Sequence, residues 1–269
     1  MNVSRSLFYK WKYRSLHPSI REITRKSDIK LIQYVHSLHP SHGYRWINAF
    51  IRLKYGVVFT DNYVHRICKF AGIRSKAKHS KWNHPGNQGE KFTNLIGNNW
   101  KYVTKPLEII VSDMTAFRTS DSYYELTLYF DVWNKEILGY GLSSRMGDIS
   151  TYYDGLQQVL SRIKKEQTNH LTILHTDQGS VYSSKSYNEL IKNYNIKRSM
   201  SRAGTPTDNS VNESLNGWIK EELFLDFGLK HSNNVPKLIN DYIFYYNHYR
   251  PSYALNYKTP IQFKSESGF

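Results

Sequence analysis

Three acidic residues are spaced to build a metal site. Asp113 follows the apolar run 109–111, and Asp177 follows the apolar run 171–174 within His175-Thr-Asp-Gln-Gly-Ser. Glu213 lies in the segment 208–220, with 35 residues between it and Asp177. Two aspartates at the ends of short strands and a glutamate inside a later helix converge if that helix packs back on the sheet. Three converging carboxylates repel one another, and a bound cation offsets that repulsion. Hard carboxylate oxygens select Mg²⁺ or Mn²⁺. Each residue also has a plainer reading: a strand-end turn for Asp113, an Asx-turn before Gly179 for Asp177, and a first-turn helix position for Glu213.

The elements that must position these residues follow from periodicity. Residues 107–111 predict a short strand ending at Ser112-Asp113, and residues 123–132 and 137–142 predict a hairpin turning at Asn134-Lys135. Residues 148–165 carry Tyr152, Leu156, Val159, Leu160 and Ile163 on one helical face. A strand at 171–174, a helix at 184–194 and a strand at 196–200 come next, and Asp208 is expected to cap the helix holding Glu213. The order predicts an α/β fold: a mixed five-stranded sheet with flanking helices, whose ligands gather beyond strand ends. His175 shares Asp177's strand face and is a candidate to assist at the site. Asp131 fits a turn role in the hairpin. Residues 235–249 predict a helix packed on the core through its aromatic side chains.

The first third of the chain differs in charge. Residues 1–91 hold 18 basic and 4 acidic side chains, whereas residues 92–269 hold 19 and 18, so nearly all of the net +15 belongs to the N-terminal part. Such asymmetry points to a polyanion-binding arm, with nucleic acid as the expected partner. A basic helix or tail covers 1–22. Residues 23–78 predict three short helices, with Ile29, Ile32, Val35 and Leu38 on the first, Ile47, Phe50 and Ile51 on the second, and Val64, Ile67, Cys68 and Phe70 on the third. This is a small all-α, helix-turn-helix-like domain whose last helix would enter the major groove, with Tyr63, Arg66 and Lys69 as contacts. His36, His39, His42 and His65 read as loop and surface residues, because a lone thiol, Cys68, suits a structural zinc site poorly. Residues 79–102 read as a linker, and 103–265 as the catalytic core with its C-terminal helix.

A single cysteine excludes an internal disulfide framework and fits a reducing compartment. No apolar run is long enough to span a membrane, so the expectation is a cytoplasmic, nucleoid-associated protein with no membrane partner.

Ile-Val-Ser-Asp113, His-Thr-Asp177-Gln-Gly-Ser and Asp-Asn-Ser-Val-Asn-Glu213-Ser-Leu-Asn-Gly-Trp-Ile-Lys220 together resemble the three blocks of the DDE transposase and retroviral-integrase core, which has an RNase H-like fold. The chain is most similar to the OrfB-type transposases of bacterial insertion sequences. His39-Pro-Ser-His-Gly-Tyr-Arg45 resembles the motif that opens their helix-turn-helix, and Tyr246-Asn-His-Tyr-Arg-Pro251 resembles their C-terminal signature.

The resemblance implies that Asp113, Asp177 and Glu213 form the catalytic and metal-binding triad, with two Mg²⁺ or Mn²⁺ ions per site. It implies that Lys220 contacts DNA near the reacting phosphate, with Arg45, Asn209 and Asn212 as further DNA-binding candidates. The expected reaction is metal-dependent cleavage and strand transfer on double-stranded DNA, at element ends and target, by a homo-oligomer. An upstream-frame partner of the OrfA type, fused by frameshifting, is a further expectation. The alternative is a silent or truncated copy that binds DNA as a regulator.

Overall fold

The computed structural model describes residues 4–77, 91–97, 99–167, 169–202, 205 and 210–269, the side chains of 101, 210, 212 and 213 excepted. The chain forms two compact units, Met1–Ala77 and Lys78–Phe269.

The first unit is helical: α1 (Arg5–Leu16), α2 (Ile20–Leu38), α3 (Tyr44–Tyr55) and α4 (Asp61–Phe70). Local signals set the ends. Ser19 and Glu22 form a capping box on α2, Gly56 closes α3 in the left-handed conformation (φ 66°), and the Thr60 side chain accepts from Tyr63 N to start α4. Ile32, Val35, Ile47, Ile51, Val64, Ile67 and Cys68 make the core, while α1 buries nothing. Asn48 Nδ2 donates to Phe59 O and Asp61 Oδ1, which fixes the α3–α4 turn.

Two expectations for this unit are corrected. Phe70 is exposed, with the Arg25 guanidinium over its ring, because it lies about 240° around α4 from Val64, off the buried stripe. His42 is buried rather than on the surface, its ring stacked on Trp46 at 3.8 Å. Its place before α3 lets an amphipathic ring finish the apolar core.

The second unit is built on β1 (Ile109–Arg118), β2 (Tyr123–Asp131), β3 (Ile137–Ser143), β4 (Thr172–Thr176) and β5 (Ile196–Met200), in the order β3-β2-β1-β4-β5. The first three strands pair antiparallel, and β4 and β5 add in parallel. On one face lie α5 (Ser150–Lys165) and α6 (Lys185–Ile191), packed with Ile110, Tyr129, Leu174 and Met200. On the other lie α7 (Ser210–Leu225) and α8 (Val235–His248), packed with Ile109, Val111, Leu128 and Phe130. A short helix, α9 (Pro260–Glu266), follows. The aromatic packing expected of α8 is present in buried Tyr242 and Tyr246.

Of the segment read as a linker, residues 79–90 and 98 lie outside the described residues. From Lys91 onward the chain packs on the second unit: Ile96 is in the core, Leu95 N donates to Ser199 Oγ, and Phe92 sits beneath the Arg198 guanidinium.

Candidate active site

Asp113 was expected at a strand end, and it stands instead mid-way along β1. The antiparallel partner β2 carries β1 on to Arg118, and Asp113 itself faces Leu128. On the other edge the parallel pairing with β4 stops at Ser112 and Thr176. Asp113 and Asp177 are therefore the next residues past the last registered pair, side by side where the β1–β4 ladder ends. Strand alternation puts Asp113 on the same face as Val111 and Ile109, the face covered by α7.

Both carboxylates are half-buried and held. Asp113 Oδ1 accepts from Met114 N at 2.9 Å, and Asp113 Oδ2 accepts from Asn216 Nδ2 at 3.2 Å. Asp177 Oδ1 accepts from Gly179 N at 2.9 Å, the Asx-turn of its plainer reading. Burial pushes the Asp177 carboxyl above the usual carboxylate range, and the Gly179 bond opposes that shift. A Cβ on residue 179 would come within 2.9 Å of Asp177 Oδ1, so a side chain there would displace that carboxylate. Beneath the pair, Ser112 Oγ and Tyr182 Oη share a buried hydrogen bond of 2.8 Å. The Arg198 guanidinium donates to Thr176 Oγ1 and Tyr182 O, bracing the turn that carries Asp177.

The helix α7 supplies the third side of the site. Asn216 is buried, and one turn later half-buried Lys220 has its ammonium pushed below the usual range by burial, with the nearby Asp113 charge opposing that shift. Glu213 lies one turn before Asn216 in the same helix, and its side chain lies outside the described residues. The same holds for the side chain of Asn212, and Asp208 and Asn209 are themselves outside the described residues. Among the described residues no group of three or more His, Cys, Asp or Glu side chains gathers as metal ligands.

Other candidates have other surroundings. His175 is fully buried, with Nδ1 2.9 Å from Ser199 Oγ and the Trp100 ring edge-on. Asp131, paired with Ile110 three residues before Asp113 in β1, accepts from Leu107 N and Trp133 N, which is the turn role expected of it. In the helical unit Arg45, Arg66 and Lys69 are exposed, whereas Tyr63 Oη donates to Asp28 Oδ2 at 2.6 Å and ties α4 to α2. Asn216 was missed in the sequence, although its position three residues after Glu213 and four before Lys220 already put it on their helical face.

The chain has relatives in both sequence and fold. Residues 103–206 and 194–260 each match an integrase core domain model. The fold is that of the retroviral integrase catalytic core: a chain of the simian T-cell lymphotropic virus intasome, solved in complex with PP2A regulatory subunit B56 gamma, superposes with a TM-score of 0.51 at 17% identity, over 88% of this chain and 73% of that one. The transposase for insertion sequence element IS904 of Lactococcus lactis is 32% identical over 212 residues, 78% of this chain and 82% of the relative. The putative transposase InsK for insertion sequence element IS150 of Escherichia coli K12 is 27% identical over 246 residues, 90% of this chain and 84% of the relative. The class is thus the polynucleotidyl transferases with an integrase core. Within it the chain belongs to the insertion-sequence transposases of the IS3, OrfB type, enzymes that cleave DNA and transfer its strands.

Proposed function

We propose that Asp113, Asp177 and Glu213 are the catalytic carboxylates of this transposase and hold two Mg²⁺ or Mn²⁺ ions. The observation that carries the reading is the juxtaposition of Asp113 and Asp177 past the last β1–β4 pair, with Asn216 of α7 bonded to Asp113. The donor set fits such a cation. Two half-buried hard-oxygen carboxylates sit together, and the buried Oδ1 of Asn216 has no hydrogen-bond partner among the described residues. Bound Mg²⁺ supplies Lewis acidity for an in-line displacement at phosphorus and neutralises charge on the leaving oxygen.

The protein's own groups position that chemistry. Asn216 and Met114 N fix the Asp113 carboxylate, Gly179 N fixes Asp177, and on this reading the Lys220 ammonium, near the Asp113 charge, meets a phosphate of the DNA strand. In cleavage, water oxygen bonds to phosphorus as the P–O3′ bond breaks, leaving a DNA 3′-hydroxyl. In transfer that hydroxyl attacks a target phosphodiester and releases a target 3′-hydroxyl. No protein nucleophile is needed. Arg45, Arg66 and Lys69 of the helical unit grip the backbone of double-stranded DNA at element ends, with Asn209 and Asn212 as further contacts. The working form on this reading is a cytoplasmic homo-oligomer on DNA, extended by an upstream-frame partner of the OrfA type. Among the described residues no helix is long and apolar enough to cross a membrane.

A Mg²⁺-dependent strand-transfer assay comparing wild type with Asp177→Asn tests the assignment. Loss of transfer with DNA binding retained is expected, and equal transfer by the two proteins would refute it.

A further inference from the structure

The C-terminal motif Tyr246-Asn-His-Tyr-Arg-Pro251 is distant in sequence from the three carboxylates, and none of its residues enters the proposed chemistry. Its side chains nevertheless join α8 to β3 and to α7, the helix that carries Glu213. Asn247, buried near the end of α8, acts as a substitute strand edge: its Nδ2 donates to Ile137 O at 3.0 Å and its Oδ1 accepts from Ile137 N at 2.9 Å. That pair of bonds pins α8 to the start of β3. Arg250 reaches the other way. Its Nε donates to both carboxylate oxygens of Glu222, at 2.7 and 2.9 Å, and its Nη2 lies 2.6 Å from Glu222 Oε1.

Glu222 belongs to α7 and is 1% exposed; Tyr242 Oη of α8 donates to it at 2.9 Å, and Arg250 lies over the Tyr246 ring. Six residues back along the helix, Asn216 donates to Asp113 of β1. The connection therefore runs from β3 through Asn247 to α8, from Arg250 through Glu222 to α7, and from Asn216 to Asp113 in the same sheet.

Apolar packing alone holds a helix on a sheet but tolerates small slides and rotations, since it is not directional. A bidentate guanidinium–carboxylate fork has a fixed geometry and resists both. We infer that Glu222 and Arg250 are positioning residues: the C-terminal motif sets the height and rotation of α7 over β1, and so sets where Glu213, Asn216 and Lys220 stand relative to Asp113 and Asp177. The inference rests on the triad reading above. It also gives the motif a role in this chain, as the clamp on the helix that completes the site.

The experiment is a Mn²⁺ titration of the full chain, followed by the loss of the free-ion paramagnetic signal, with thermal unfolding and strand transfer measured on the same samples. The proteins are wild type, Asp113→Asn, Arg250→Lys, and the double variant Glu222→Met with Arg250→Met. Arg250→Lys keeps the charge and loses the fork. The double variant removes both buried charges together, a change buried ion pairs often tolerate without loss of stability. Both are expected to fold and to bind Mn²⁺ about tenfold more weakly, with transfer partly recovered at raised Mn²⁺. Wild-type Mn²⁺ affinity in folded Arg250→Lys, while Asp113→Asn loses binding, would overturn the positioning role and leave the triad standing. Wild-type affinity in Asp113→Asn would instead remove the triad reading and this inference with it. If the double variant does not fold, Arg250→Lys decides alone.

Discussion

Asn216 Nδ2 donates to Asp113 Oδ2 at 3.2 Å, joining residues 103 positions apart and tying α7 to β1 one helical turn beyond Glu213. Removing this bond takes away the tie from α7 to the Asp113 carboxylate, whose Oδ1 still accepts from Met114 N. Asn216→Ala is expected to lower strand transfer by about 10–100-fold, as loss of an outer partner does at metal sites. The stability cost is expected to be about 1 kcal/mol. Asn216→Asp should be worse for transfer, because it sets a like charge beside Asp113. Single-turnover cleavage across a Mg²⁺ series reads both.

The hairpin strand β3 lies against α5 with no room for a side chain. A Cβ at Gly141 would sit 2.1 Å from Thr151 O, and one at Gly139 would sit 2.5 Å from Gly155 O, both backbone atoms that cannot step aside. Gly141→Ala is expected to destabilise the second unit by about 3 kcal/mol, the upper range for overpacking. Urea unfolding followed by tryptophan fluorescence measures it, and an unchanged midpoint would contradict the close packing of β3 on α5.

Asp131 is fully buried, and desolvation pushes its carboxyl up to about 7, even though Leu107 N and Trp133 N both donate to it. Glu136 nearby adds to the rise, and Lys264 opposes it. The folded-state value thus lies above the unfolded one near 3.9. Between these values the folded protein binds the extra proton, so this group's contribution to stability is full below about pH 4 and is lost as pH rises through about 7. Asp131→Asn removes the titration. Its melting temperature should lack the decline that wild type shows across that window, and parallel profiles would show that Asp131 does not cause it.

In the helical unit the two kinds of candidate separate cleanly. Tyr63 is bonded to Asp28 across the helix pair, whereas Arg66 and Lys69 face solvent. Arg66→Ala is expected to reduce the slope of log affinity against log salt by about one, the mark of a lost phosphate contact. Tyr63→Phe should keep that slope and cost about 1 kcal/mol of stability. A DNA-binding salt titration beside thermal unfolding distinguishes them, and a changed slope in Tyr63→Phe would return Tyr63 to the contact surface.

The sequence alone determined the order of elements, because that order rests on local rules. A period of two over 123–132 and 137–142 made the hairpin legible, and a helical period made α5 and α8 legible. Short-range capping at Ser19, Thr60 and Ser184 set helix starts. The motif blocks around Asp113, Asp177 and Glu213 were enough to indicate the family. What only the tertiary structure decided depends on pairings between distant residues. Asp113 lies mid-strand because β2 extends β1 on one edge while β4 stops beside Ser112 on the other, a register that no local period encodes. Asn216 at Asp113, Arg250 at Glu222 and Asn247 at Ile137 are side-chain bonds across 103, 28 and 110 residues, and directional contacts of that range exist only once the sheet and helices have packed. The same packing placed His42 in the core and Phe70 outside it.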